Sequence, residues 1–177
     1  MNFDLNVPDK RLVAVCGLFC PSCPIFIGSR EDKKRLTRLA EHFQCSIEDL
    51  ECEGCRSKKV CKYSCANCKL SKCATEKGLD FCGECPEYPC EALRVFQAAM
   101  PNRLELWESQ KRIKEVGWKQ WYTEMIEHYT CPECGALNSV ADTSCRKCGT
   151  TPSCMYVKLH KDEINQHRMK LKTKKES

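Results

Sequence analysis

Apolar and polar residues follow three regimes along the chain. In residues 29–45, SREDKKRLTRLAEHFQC, Leu36, Leu39, Ala40 and Phe43 fall at i, i+3, i+4 and i+7, the stripe of an amphipathic helix. Ser29 is placed to cap it, and Glu31 and Asp32 suit its positive end. Residues 46–90 lose this period almost entirely. Beyond them it returns: Leu93, Phe96 and Met100 share a face, Pro101 breaks that helix, and NRLELWESQKRIKEV predicts a second one closed by Gly117. The strongest stripe is in the third helix, WKQWYTEMIEHY, with Trp118, Trp121, Tyr122, Met125 and Tyr129 on one face. An aromatic stripe at helical spacing predicts a cover packed over the irregular segment.

That segment has a composition of its own. Nine of the 45 residues at 46–90 are cysteine, in blocks such as CEGC, CANC and CGEC. It carries too little apolar surface to fold alone, so metal–thiolate bonds are expected to supply the missing stability. Across the 177 residues there are 18 cysteines: thirteen between Cys16 and Cys90, four between Cys131 and Cys148, and Cys154 alone. Disulfides would require an oxidising compartment. The start, MNFDLNVPDKRLVAVCG, has no apolar run with a cleavage site, and the stretches LVAV and IFI are far too short to span a membrane. A cytoplasmic metal binder with no membrane contact is the expectation.

The final cysteine block, CPECGALNSVADTSCRKCGT, is C-x2-C-x10-C-x2-C. Cys131, Cys134, Cys145 and Cys148 predict two knuckles facing across a short β hairpin, a structural zinc ribbon. Gly135 and Gly149 permit the turns that aim backbone N–H groups at the sulfurs. Four thiolates close a tetrahedral shell and leave no position for substrate; iron in a rubredoxin-like site would use the same ligands.

Upstream, CGLFCPSC and CKYSCANC each read C-x3-C-x2-C. This is the spacing of radical S-adenosylmethionine enzymes, but the strand–helix repeats of their barrel do not follow Cys23. Setting Cys45 aside, twelve cysteines remain: Cys16, Cys20, Cys23, Cys52, Cys55, Cys61, Cys65, Cys68, Cys73, Cys82, Cys85 and Cys90. They suffice for three closed shells of several Zn2+ ions. They equally suffice for a [4Fe–4S] cluster in the N-terminal domain, for example on Cys61, Cys65, Cys68 and Cys73. Cys52 and Cys55 could pair with Cys65 and Cys68, and Cys90 could complete Cys16, Cys20 and Cys23. His42 is the one histidine of the region, and packing or surface exposure explains it. With histidine otherwise absent, ligation by these blocks is nearly all sulfur, which excludes calcium and magnesium. A redox dithiol at Cys82 and Cys85 lacks the strand–helix frame such a site uses.

Charge changes the picture less than it first suggests. The formal charge is +5, but a closed four-thiolate site carries about −2, so four of them would take the chain to about −3. Basic character survives at residues 157–177, where seven Lys and Arg face three acidic residues. No aromatic residue interleaves with the lysines, so a disordered basic tail is expected and a nucleic-acid partner has little support. Other partners are unspecified, a protein being one candidate. No phosphate loop and no nucleophile elbow occurs, and no catalytic residue is assigned.

CGLFCPSCPIFIGS, CEGCRS and CANCKLSKCATEKGLDFCGECPEYPCEAL together resemble a prokaryotic family, domain of unknown function 3795, over roughly residues 12–98. The resemblance implies a small cytoplasmic metal binder with no assigned reaction. Its cysteine blocks fall on Cys16, Cys20, Cys23, Cys52, Cys55, Cys65, Cys68, Cys73, Cys82, Cys85 and Cys90. The reading is then an α+β, metal-stabilised fold: irregular Cys-rich loops covered by amphipathic helices (1–129), a short β zinc ribbon (130–156) and the tail (157–177). The expected function is a zinc-binding structural or interaction protein without catalysis, the alternative an iron–sulfur protein in electron transfer or redox catalysis.

Overall fold

The computed structural model describes residues 4–98 and 103–173. Its regular structure is helical: α1 Pro24–Arg30, α2 Lys33–Phe43, α3 Ile47–Leu50, α4 Lys69–Glu76, α5 Glu91–Ala98, α6 Leu106–Tyr129, α7 Met155–Leu159 and α8 Lys161–Thr173. Among the described residues no strand forms. The β part expected of the ribbon reduces to one isolated bridge, Thr130 with Leu137, and a second joins Val13 to Phe19. Met100 and Pro101 lie outside the described residues.

The helix expected from Ser29 starts later. Asp32 caps α2, its carboxylate accepting from the Arg35 N–H at 2.9 Å. Ser29 instead ends α1, donating to the Ile25 carbonyl and accepting from the Cys52 N–H at 3.0 Å. The periodicity still chose the right face: Leu36 and Ala40 are buried, and Leu39 and Phe43 pack beside them.

α6 is two helices joined at Gly117, whose φ of 81° and ψ of 155° are not helical. At that φ a side chain would be strained, which glycine avoids. The halves fold back on each other, so Arg112 meets Glu124 at 2.7 Å and Glu105 meets His128 at 2.9 Å. This hairpin is the predicted cover. Phe19, from inside the first cysteine loop, sits against Trp121, Tyr122 and Tyr129 with ring centroids 5.2–5.9 Å apart. Gln110, fully buried on the same hairpin, donates to the Val15 carbonyl at 3.0 Å and accepts from the Gly83 N–H at 2.7 Å. Two cysteine loops are thus hung from one helix by a single amide.

The C-terminal end departs from the expected disorder. Tyr156, Val157 and Ile164 are buried with Phe19, Trp121 and Tyr129 in the main core, so α7 and the start of α8 close it. The count of lysines at residues 157–177 concealed two buried apolar residues, Val157 on α7 and Ile164 on α8. No helix among the described residues is long and apolar enough to cross a membrane.

Candidate metal centre

Two near-identical knuckles build the C-terminal site. In the first, the Cys131 N–H donates to the Ala136 carbonyl at 2.8 Å and the Gly135 N–H to the Cys131 carbonyl at 3.0 Å. In the second, the Cys145 N–H meets Thr150 at 2.8 Å and the Gly149 N–H meets Cys145 at 2.9 Å. Gly135 and Gly149 take φ of 70° and 78°, the left-handed turn that lets both loops double back. The knuckles face each other, with Cys131 Sγ 3.7 Å from Cys148 Sγ and Cys134 Sγ 3.6 Å from Cys145 Sγ. All four sulfurs lie within 4.8 Å of one another. A tetrahedral ion bound at about 2.3 Å requires sulfurs about 3.8 Å apart, so this set fits a single closed-shell ion.

The electrostatics point the same way. The Ala136 N–H favours the Cys134 thiolate, but burial and the sulfurs of Cys148, Cys145 and Cys131 outweigh it and push that thiol up to about 12. Cys145 goes the other way, to about 6. Burial opposes its ionisation, yet N–H groups of Cys148 and Lys147 and hydrogen bonds with Cys134 and Cys148 prevail. Four thiols this close cannot all ionise alone; a dication placed among them replaces the shared protons. Asn138, fully buried, ties the knuckles together. Its amide donates to the Ala136 and Ser153 carbonyls and reaches the Cys145 sulfur at 3.7 Å, while its oxygen accepts from the Arg146 N–H. Sequence reasoning passed over Asn138; an asparagine between two cysteine pairs was the available signal.

This site is docked onto the N-terminal part. Arg35 of α2 reaches Asp142 at 3.0 Å and Ser139 at 3.1 Å, the Val140 N–H donates to the Ser22 carbonyl, and Arg146 pairs with Glu31.

The N-terminal cysteines are arranged differently. Among the described residues no second group of three or more potential ligands converges as the C-terminal set does. The sulfurs fall into two neighbourhoods. Around Cys20, the Cys55 N–H donates to its sulfur at 3.3 Å, and Cys55 Sγ lies 3.9 Å from Cys65 Sγ. Cys23 is raised to about 12 by burial, with Cys52 and Cys65 adding to the rise. Cys61 neighbours Cys52. Around Cys82, burial also raises the thiol to about 12, with Cys90, Cys73, Cys68 and Cys85 contributing. Cys16 belongs on this side, next to Cys82 and Cys68. Cys52 and Cys55 both lie near Cys65, Cys61 and Cys73 fall in different neighbourhoods, and Cys90 sits by Cys82, as Cys16 does. His42 is exposed against Phe43, and Cys154 packs in the main core.

Between the two neighbourhoods lies a cavity of about 510 Å3. Cys16, Cys20, Cys23, Cys55, Cys65 and Cys68 line it, and the polar part of its wall includes Arg56, Arg103, Glu105 and Trp121 with several serines and tyrosines.

No curated protein and no solved structure matches the chain. Residues 12–95 match the model of the family described as protein of unknown function (DUF3795). That segment carries all thirteen N-terminal cysteines, including the six that line the cavity. Over those residues the chain is similar to that family of unknown function.

Proposed function

We propose that the protein is a metal-stapled structural or interaction module, with one zinc ion held by Cys131, Cys134, Cys145 and Cys148. The observation that carries this reading is the sulfur spacing of 3.6–3.7 Å, matched to a tetrahedral Zn–thiolate shell. A shell closed by four protein sulfurs offers no position for a substrate, so the ion's contribution is to folding. It fixes residues 131–150 as a rigid knuckle pair, docked through Arg35 and Arg146 on the N-terminal part. A protein partner suits such a module better than nucleic acid, because the basic helix α8 begins by burying Ile164 in the core.

Cobalt substitution tests it. Cobalt in four thiolates gives an intense tetrahedral spectrum, expected at about one ion per chain for this site and abolished in Cys145→Ser. A pale, six-coordinate cobalt spectrum, or full occupancy in Cys145→Ser, would contradict the assignment.

A second reading concerns the N-terminal thiols, which we read as metal ligands too, with zinc one candidate. Cys55 and Cys65 approach to 3.9 Å, and six thiols line one cavity, an arrangement that favours a polynuclear centre there.

A further inference from the structure

We propose that the 510 Å3 cavity is the binding site of a [4Fe–4S] cluster held by Cys16, Cys20, Cys23 and Cys55. The inference rests on the reading that the N-terminal thiols bind metal, and it names the centre and its ligands.

Three observations lead there. The first is room. At about 30 Å3 per water, the cavity has the volume of roughly seventeen waters, far more than one ion between touching sulfurs would leave. A cubane brings its own sulfide and places each thiolate on a different iron, so its protein sulfurs stand further apart than those around one ion. Sulfurs spread around a void are what such a centre requires. A closed zinc shell requires the convergence seen at residues 131–148.

The second is the state of the ligands. Each cysteine of the C-x3-C-x2-C loop already receives backbone N–H groups: Cys16 from Leu18, Cys20 from Cys55, and Cys23 from Phe26 and Ile25. Hydrogen bonds of this kind stabilise thiolate charge and tune cluster potential. The loop is not a floppy staple. Phe19, between the first two cysteines, is held in the aromatic core, and Gln110 pins Val15 beside Cys16. Cys55 is the natural fourth ligand because it alone of the facing cysteines neighbours both Cys20 and Cys16.

The third is unspent polarity on the wall. The Trp121 indole N–H is buried without a hydrogen-bond partner, on a residue only 1% exposed. Arg103, stacked over Phe96 and donating to its carbonyl, keeps a buried Nε without a partner and lies near Cys16 and Cys68. A cluster with four thiolates carries about −2 overall. A half-buried cation and two buried N–H donors, the Arg103 Nε and the Trp121 indole, offset that charge, and such donors are costly to leave unpaired.

The test uses the full chain, purified without oxygen and reconstituted with ferrous iron and sulfide. About four iron and four acid-labile sulfide per chain are expected, with a broad visible absorption and an electron paramagnetic resonance signal after reduction. Cys16→Ser, Cys20→Ser, Cys23→Ser and Cys55→Ser should each lose most of that absorption, while Cys73→Ser and Cys85→Ser, off the cavity wall, keep it. Zinc at the C-terminal site, counted in the same samples, should stay near one per chain. Its loss alone would sink the zinc reading and leave the cluster standing. Arg103→Gln, which touches no ligand bond, should fold, keep the colour and shift the reduction potential to a more negative value. Uptake of iron without sulfide, colour that survives all four ligand variants, or an Arg103→Gln potential equal to wild type would each overturn the proposal.

Discussion

The two sulfur-rich regions of this molecule use one residue type for opposite kinds of site. At residues 131–150 the four sulfurs assemble themselves: each C-x2-C pair sits on its own tight turn, and their spacing is already that of a bound ion. In the N-terminal region the sulfurs come from the first loop, the segment around Cys55 and the start of α4, and what positions them is the aromatic hairpin α6. The lesson is one of range. A local site depends on its turns, whereas a site gathered from distant segments depends on the whole core. Disturbing the local site should therefore leave the rest of the core largely intact, and disturbing the core should cost the N-terminal site before the local one.

The largest effect should come from Cys145→Ser. Structural zinc supplies about 10–16 kcal/mol of apparent binding free energy in isolated fingers, so a site short of one thiolate should release its ion. Hydrogen exchange should then show residues 130–153 opening while α2 and the first half of α6 remain protected. Equal loss of protection in α2 would break the comparison.

Trp121→Ala attacks the other region. The ring is fully buried against Phe19, and such truncations cost about 3–5 kcal/mol. Urea unfolding should register that cost, and metal bound through Cys16, Cys20 and Cys23 should be lost before the C-terminal zinc.

The join between the regions should matter less. Arg35→Ala removes the two bonds to Asp142 and the one to Ser139, hydrogen bonds of a kind worth about 1.5–3 kcal/mol when a charged group takes part. Both metal contents should remain at wild-type levels while the midpoint in urea falls.

The smallest effect is pH-dependent. Burial works to raise the Glu105 carboxyl, but His128 and then His160 bind it and hold it below its ordinary value. A carboxylate lowered on folding stabilises above its unfolded pKa and loses that contribution as pH falls through the lower folded value. Wild-type stability should begin to decline below about pH 4.3, and Glu105→Gln should flatten that limb in thermal melts across the acid range.

How much of this was legible in the sequence follows the same division. The knuckles could be read because their spacing and glycines are local signals, and the helical faces of α2 and α6 because periodicity is. Three things could not. In place of the β hairpin expected between the knuckles there is one isolated bridge, Thr130 with Leu137, and the Asn138 side chain, which donates to the Ala136 and Ser153 carbonyls. The C-terminal helices looked like a charged tail because Tyr156, Val157 and Ile164 are sparse among lysines, though each is buried. The placing of Cys55 beside both Cys16 and Cys20 is a tertiary fact that spacing along the chain does not encode.

The most direct test of the central contrast is zinc, iron and acid-labile sulfide per chain, measured together on protein purified without oxygen. The account predicts about one zinc beside iron and sulfide in equal amounts. Near four zinc per chain, with neither iron nor sulfide and no colour, would mean that the N-terminal sulfurs close around single ions after all.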